Sequence, residues 1–552
     1  MHNCTLKDRL IFETSWEVCN KIGGIYTVLS TKAKTLQDIN KDKVVFIGPD
    51  VWTEENPSPY FKEYKSLLKN CVKNLELPHG ISIRVGRWMI PGNPIVVLVK
   101  FDGVYEHLNH YYGEIWNNFR VDSLHAYGDY DEGCAFGIAS AIVMAALTDH
   151  LKEDPKNVIA HFNEWTTGMG LLHLRTLCPE IATLFTTHAT SIGRSICGNG
   201  KPLYDYLSGY NGDQMAGELN MESKHSLEKT AAHNADCFTT VSDVTAIECR
   251  QLLDLMPQVV TPNGFEPNFV PTGKKYQTQR QSARKALLNV ASKLTGKTFA
   301  DDAFIVATSG RNEYRNKGID IFIDAMGRVG DKLATDSREV VAFIMVPAWV
   351  KEPASDLLAN MQSEQWNAPQ LNYQTHRLNN EDCDAISCRL RSLGVNDASR
   401  KVTIVYLPCY LDGNDGVLNI AYYDMMPALD ATVFPSYYEP WGYTPLESIA
   451  FGVPTISSDK AGFGQWILTD YANDAQACGA KVIARTDSNY DQAREDIADS
   501  LLSLIDLSAE QMAEVRQKAM ATASDADWSK FIEKYIEAFA VAQSRRDERL
   551  KA

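Results

Sequence analysis

The chain has 552 residues, a length that favours two large domains over one. Its formal net charge of −16 argues against a nucleic-acid partner, because such affinity comes largely from Lys and Arg neutralising phosphates. Apolar residues make up 45% and charged residues 22%, a globular balance with no low-complexity tract, and no continuous apolar run reaches the roughly 20 residues needed to cross a bilayer.

The start of the chain reaches its first apolar stretch only at Leu10-Ile11-Phe12, too short for the core of a signal peptide. The twelve cysteines include no C-x-x-C, and the closest pair, Cys383 and Cys388, lacks zinc-type spacing. These features predict a soluble, cytoplasmic protein with reduced thiols and no membrane partner.

From Leu10 onward, short β-branched runs alternate with amphipathic stretches: 43–47, 95–99, 158–162, 182–186 and 237–241. Continuous apolar runs of this kind mark strands of a parallel sheet covered on both faces. An irregular polar stretch from Pro271 to Gln281 reads as an inter-domain linker, and a second series follows at 304–308, 340–345, 402–406, 431–434 and 454–457. The expectation is an α/β chain with a first domain at 1–275, a second at 276–525 carrying an insertion of loops and short helices near 351–380, and a terminal helix and frayed tail at 526–552. In open α/β sheets ligands bind outside the carboxyl ends of the strands, so the residues just after these runs are the candidates.

Four constellations lie there. Lys21-Ile22-Gly23-Gly24 opens a helical run, where Gly23 and Gly24 either let backbone N–H groups approach an anion or form a plain strand-to-helix turn. His188 follows a buried strand, with Arg194 six residues later; the histidine also suits a turn, while a guanidinium at such an edge calls for an anionic partner. Arg311, Arg315 and Lys317, framed by Gly310 and Gly318, form either a diphosphate clamp or a solvated loop. The stretch Phe434 to Glu447 carries Glu439 and Glu447 across a Pro/Gly-shaped aromatic loop. Thr444-Pro445-Leu446-Glu447 also fits a capping box, whereas Glu439 lies upstream of any helix; Gly442, Tyr443 and Thr444 could offer N–H groups to a phosphate.

These segments, together with 16–28, 160–165, 238–242 and 261–264, closely resemble the glycogen synthases of the animal and fungal type, glycosyltransferase family 3. The resemblance implies a GT-B fold, two Rossmann-like domains facing a central cleft, and retaining transfer of glucose from UDP-glucose to the non-reducing 4-hydroxyl of glycogen or another α-1,4-glucan. It implies no metal and no cofactor, and it assigns Arg311 and Lys317 to the leaving diphosphate, Glu439 to the donor glucose hydroxyls and Glu447 to the ribose. His188, Arg194 and Asn263 would line the sugar side, Tyr422 would stack on the base, and Gly23-Gly24 would approach the donor. Retention without an evident nucleophile suggests a front-face displacement.

The chain also departs from the family pattern. Asn163 replaces a histidine of the usual His-x-His-Glu-Trp segment, and Leu407-Pro408-Cys409-Tyr410-Leu411 stands where His-Pro-Glu-Phe-Leu is usual. A short insertion makes the chain resemble a compact, bacterial-type member. The helix matching the arginine-rich glucose 6-phosphate site of eukaryotic members carries only Arg516 and Lys518 as cations, which predicts no strong activation by that effector. ADP-glucose as donor, another enzyme of the same fold such as a glucan phosphorylase or a sucrose- or trehalose-phosphate synthase, and a non-catalytic glucan-binding protein are the alternatives. Oligomeric state, homo-oligomers included, stays open.

Overall fold

The computed structural model describes residue 6 and residues 8–53, 55–369, 371–397 and 400–552; most of the start of the chain lies outside them. The chain divides into two compact units, one formed by residues 1–266 and 526–552, the other by 267–525.

The first unit is built on a nine-stranded sheet: β1 (Leu10–Thr14), β2 (Val44–Pro49), β3 (Phe61–Glu63), β4 (Ser82–Trp88), β5 (Ile95–Lys100), β6 (Val158–Asn163), β7 (Ala182–Thr187), β8 (Cys237–Thr240) and β9 (Val259–Val260). Their spatial order is β3-β4-β5-β2-β1-β6-β7-β8-β9, parallel from β5 to β9, with β3 and β4 antiparallel at one edge. Every residue of β1, β2, β6, β7 and β8 is buried, as expected for strands sandwiched between helices. The order reverses at β1, whose neighbours are β2 and β6, so the loops after β1 and β6 flank the crevice where ligands of such sheets bind.

Helix Tyr130–Leu151 corrects the expectation that no segment could span a membrane: by length and composition it qualifies, with a mean hydropathy of 1.6. Its apolar surface is used inside the unit, where 72% of that window is buried. It packs against helix Trp165–Leu177 through two glycines. A Cβ on Gly170 would lie 2.3 Å from the Gly137 carbonyl oxygen, so the helices approach to backbone contact.

The second unit has a parallel six-stranded sheet made of β10 (Phe304–Ser309), β11 (Val340–Met345), β14 (Val402–Leu407), β15 (Ala431–Phe434), β16 (Thr455–Ser458) and β17 (Ala480–Ile483), in the order β14-β11-β10-β15-β16-β17. A separate antiparallel ribbon of β12 (Val350–Pro353) and β13 (His376–Leu378), with helix Ser355–Met361 between them, forms the insertion.

Three sequence expectations change. The polar stretch at 271–281 is no linker but the start of helix Gly273–Thr295, whose Tyr276 Oη donates to the Phe451 carbonyl at 2.7 Å and whose Arg280 and Arg284 reach Asp430 at 2.8 Å. The division between units falls at 266/267 rather than 275/276. The end of the chain forms two helices, Ala509–Asp525 and Trp528–Arg549, separated where Asp527 accepts the Ser529 N–H and pairs with Phe265, and its tail is not frayed. The tail is helical to Arg549. Arg546, almost fully buried, donates to the Glu180 and Lys156 carbonyls, and Arg549 pairs with Asp236 at 2.9 Å.

Candidate active site

In the second unit β10 lies beside β15, so the loops leaving their carboxyl ends, 310–318 and 435–442, emerge side by side. The Asn316 carbonyl accepts the N–H groups of Tyr437 and Tyr438 at 2.9 and 3.1 Å, which fastens one loop to the other. Gly318, at φ +68°, sits so close to the second loop that a Cβ would fall 2.3 Å from the Pro435 carbonyl oxygen. This juxtaposition brings Lys317 Nζ to 2.5 Å from Glu439 Oε2, both side chains less than a fifth exposed.

The other two cations point elsewhere. Arg315 stacks its guanidinium 4.9 Å from the Tyr437 ring centre and lies 3.4 Å from Asp487. Arg311 is largely exposed and pairs with Glu313 at 2.9 Å. The loop is therefore neither a three-cation clamp nor merely solvated, and only Lys317 is turned onto a carboxylate of the aromatic loop.

Helix Tyr443–Ala450 begins after Gly442, which has φ +103° and supplies no side-chain cap. Thr444 and Pro445 lie inside the first turn, so the capping-box alternative for Glu447 is not realised in this form. Glu447 is buried and accepts the Tyr423 hydroxyl at 2.7 Å; the Tyr423 ring stacks nearly parallel on Phe451. The neighbouring Tyr422 joins its hydroxyl to Ser309 Oγ at 2.8 Å, at the very end of β10, and burial raises its pKa. Ser309, Tyr422, Tyr423 and Glu447 thus form one line along the same edge as Lys317 and Glu439.

In the first unit three carboxylates hold the loop after β7. Glu164, in the left-handed region at φ +69°, accepts the His188 and Ala189 N–H groups at 2.9 and 3.3 Å. Glu228, fully buried, accepts Ser191 N–H and Oγ at 2.8 and 2.6 Å and Thr187 Oγ1 at 3.1 Å. Glu248 accepts from Thr190 Oγ1. Burial, reinforced by Glu228, pushes the Glu164 pKa up to about 8. His188 is buried, and burial together with the Lys32 charge lowers its pKa to about 3, so the ring is neutral. Arg194, in helix Ser191–Gly198, is exposed, and its charge favours the ionised forms of Glu164 and Glu228.

Behind His188 lies a buried polar network. Its ring Nε2 is 3.0 Å from Asn163 Oδ1, while Asn163 Nδ2 donates to Glu13 Oε1 and the Thr14 carbonyl, both at 3.1 Å. Glu13 pairs with Lys32 at 2.9 Å and lies 3.0 Å from His161 Nδ1. The Lys32 ammonium sits 4.2 Å from the centre of the Tyr535 ring, contributed by the last helix. Burial disfavours the Glu13 charge, but His161 and Lys32 override it and hold the carboxyl well below its ordinary range. Asn263 is buried too, its Oδ1 without a hydrogen-bond partner among the described residues.

The Gly23-Gly24 turn is occupied differently from either simple expectation. Glu17 Oε2 accepts the N–H groups of Gly23 and Tyr26, each at 2.8 Å, so a carboxylate of the chain itself stands at the start of helix Gly24–Asn40. Sequence reading missed Glu17 and Glu164, which stand before helices, and Glu228, which lies inside helix Glu222–Asn234, since an acidic residue in either place is an everyday surface feature. One further group, His376, Cys409 and Asp415, brings potential metal-binding atoms within 4.8 Å. Two of its three residues are engaged within the chain: His376 Nε2 lies 2.8 Å from the Asp415 carbonyl oxygen, and the Asp415 carboxylate takes the N–H groups of Val417, Leu418 and Asn419.

A family model described as glycogen synthase matches residues 13–363 and 356–548. The chain belongs to the glycogen synthase family. It is 28% identical to human liver glycogen [starch] synthase over 95% of this chain and 82% of the relative, and 26% identical to isoform 2 from Saccharomyces cerevisiae over 98% and 87%. Among solved structures it resembles the catalytic domain of starch synthase IV from Arabidopsis thaliana bound to ADP and acarbose, with a TM-score of 0.58 at 14% identity over 97% of this chain and 99% of that one. A trehalose 6-phosphate synthase from Burkholderia multivorans gives 0.54 at 13% identity, over 99% and 98%. These likenesses show the GT-B fold, and membership of the glycogen synthase family makes the chain a glycosyltransferase. The candidate residues of this family member are brought together in two groups, one at the sheet edge of each unit.

Proposed function

We propose that the chain elongates an α-1,4-glucan by transferring glucose from UDP-glucose to a non-reducing 4-hydroxyl with retention at the anomeric carbon. The observation that carries this reading is the contact of Lys317 with Glu439 at the ends of adjacent strands, which sets a cation and a carboxylate side by side. In the front-face displacement, the bond from C1 to the β-phosphate oxygen breaks while the acceptor O4 bonds to C1 on the same face. The 4-hydroxyl proton passes to the departing phosphate. Lys317, and Arg311 swung inward, would offset charge building on that phosphate, each contributing about 3 kcal/mol in a water-excluded site.

Glu439 would accept hydroxyls of the donor glucose, Glu447 those of the ribose, and Tyr422 would carry the base. The N–H groups at Gly442, Tyr443 and Thr444 would face the diphosphate. Asn263, with an unused buried acceptor, and neutral His188 with Arg194 would serve the sugar side. The described cysteines are all free thiols, which supports a cytoplasmic setting. The test is glucose transfer onto glycogen with UDP-, ADP- and GDP-glucose in parallel, with the anomer of the new linkage determined. Transfer from UDP-glucose giving an α-linkage supports the reading; no transfer from any of the three sinks it, and preference for ADP-glucose corrects the donor.

A further inference from the structure

Asn163 stands one residue before Glu164, whose φ is +69°, and its two ends face chemically opposite partners. The amide nitrogen lies 3.1 Å from Glu13 Oε1 and 3.1 Å from the Thr14 carbonyl, two groups that only accept hydrogen bonds. The orientation of the amide is therefore fixed, with Oδ1 turned to His188 Nε2 at 3.0 Å. A carbonyl oxygen only accepts, so Nε2 must carry the proton. In a neutral imidazole the other nitrogen is then a bare acceptor, and no described protein group bonds to His188 Nδ1.

We propose that Asn163 is a positioning residue that holds His188 as the Nε2–H tautomer, so that Nδ1 is presented as a hydrogen-bond acceptor for a sugar hydroxyl. The use of that acceptor by a sugar rests on the function proposed above; the tautomer does not. The information runs inward: Lys32 and His161 keep Glu13 anionic, Glu13 orients the Asn163 amide, and the amide sets the ring. The charged groups around the ring agree with a neutral imidazole. Burial, Lys32, His161 and Arg194 oppose its protonation and Glu13 favours it, while Glu164 faces the loop through the His188 backbone N–H. A ring so held neither donates a proton to the leaving group nor acts as a cation toward a diphosphate.

The test is long-range 1H–15N correlation spectroscopy of the full chain labelled with [15N]histidine, the His188 signals being identified by their loss in His188→Gln. The proton should sit on Nε2 with no change between pH 6 and pH 9. A proton on Nδ1, or a charged ring in that range, overturns the proposal even in a fully active enzyme. In Asn163→Leu, of similar size, His188 should become a tautomer mixture. Its kcat should fall about 10–100-fold, with the donor KM changed less than about 3-fold. An unchanged tautomer and kcat in Asn163→Leu would remove Asn163 from this role, and should that variant not fold, the native spectrum and the smaller Asn163→Ala, which also removes the carbonyl, decide. A chain that shows the Nε2–H form but transfers no glucose would fail the proposed function alone.

Discussion

Lys317 and Glu439, 122 positions apart in sequence, meet at 2.5 Å because Gly318 and the Asn316 carbonyl clamp the loop of one strand onto the loop of its neighbour. Each is the other's counter-ion, so substitution of either leaves the other without its partner.

Lys317→Ala and Glu439→Gln should therefore each lower kcat by about 100-fold or more, the scale of losing one charge-stabilising group. The double variant should lose much less than the product of the two, because the residues act as a pair. Turnover measured across this cycle checks it; multiplicative losses would mean that the two act independently. Arg311→Ala should lower kcat without changing Tm, given how exposed its side chain is.

Glu447 is a buried acceptor for the Tyr423 hydroxyl, next to the Tyr422 proposed to carry the base. Glu447→Gln keeps an oxygen for the Tyr423 hydroxyl, so the expected outcome is a several-fold rise in donor KM with kcat changed less. Tyr423→Phe, which leaves the Glu447 carboxylate without that donor, should show part of the same rise. Donor saturation curves decide it: a large kcat loss in Glu447→Gln with unchanged KM contradicts this placement.

Arg516, one of two cations on helix Ala509–Asp525, is spent on the fold. It is buried and donates to the Gly452 and Leu429 carbonyls and to Asp430, which Arg280 and Arg284 also bind. Lys518 donates to the Gln476 carbonyl. Initial rates should stay flat across a glucose 6-phosphate titration, and a several-fold rise would show that a phosphate site exists after all. Arg516→Ala should instead destabilise the protein by about 3–5 kcal/mol, the scale of breaking a buried ion pair, seen as a lowered Tm.

Two carboxyls make opposite contributions to stability against pH. Burial alone would raise Asp430, but Arg284, Arg516 and Arg280 lower it to about 2, so its contribution is present above pH 4 and is lost as pH falls through about 2. Glu164, raised to about 8 by burial and by Glu228, favours the protonated form when folded. Its ionisation therefore costs stability as pH rises from about 4.5 to 8. Glu164→Gln should raise Tm at pH 9 relative to the wild type by about 2–4 °C for each kcal/mol recovered, with a smaller gain at pH 5. Equal gains at both pH values would show that the carboxyl titrates normally.

The ten strands read from continuous apolar runs are all present, because strands buried on both faces leave that pattern directly. Ser82–Trp88, next to edge strand β3, escaped for the converse reason: buried Ile83, Val85 and Trp88 are interleaved with the polar, half-buried Arg84 and Arg87, which hide it. The start of helix Gly273–Thr295 was mistaken for a linker because its first turns are polar, held by Arg280 and Arg284 on a carboxylate 150 and 146 positions away. At the site, residue types after strands pointed to Lys317, Glu439 and His188. Their partners were not legible: neither the pairing of Lys317 with Glu439 nor the line from Lys32 through Glu13 and Asn163 to His188 is local in sequence.

The last helix has a consequence for how the protein is made. Trp528 donates its Nε1–H to Thr31 at 2.8 Å, Tyr535 covers the Lys32 ammonium and Arg549 binds Asp236, so the first unit is finished by residues translated after the whole of the second. At about 5–20 residues per second, the ribosome takes on the order of tens of seconds to produce the intervening segment. Throughout that interval the nascent first unit carries a charged lysine-glutamate pair with one side uncovered and an apolar groove where the helix will lie. A ribosome that stalls inside the second unit would hold an incomplete, aggregation-prone first unit, which makes chaperone occupancy of the nascent chain greatest before residue 528 emerges.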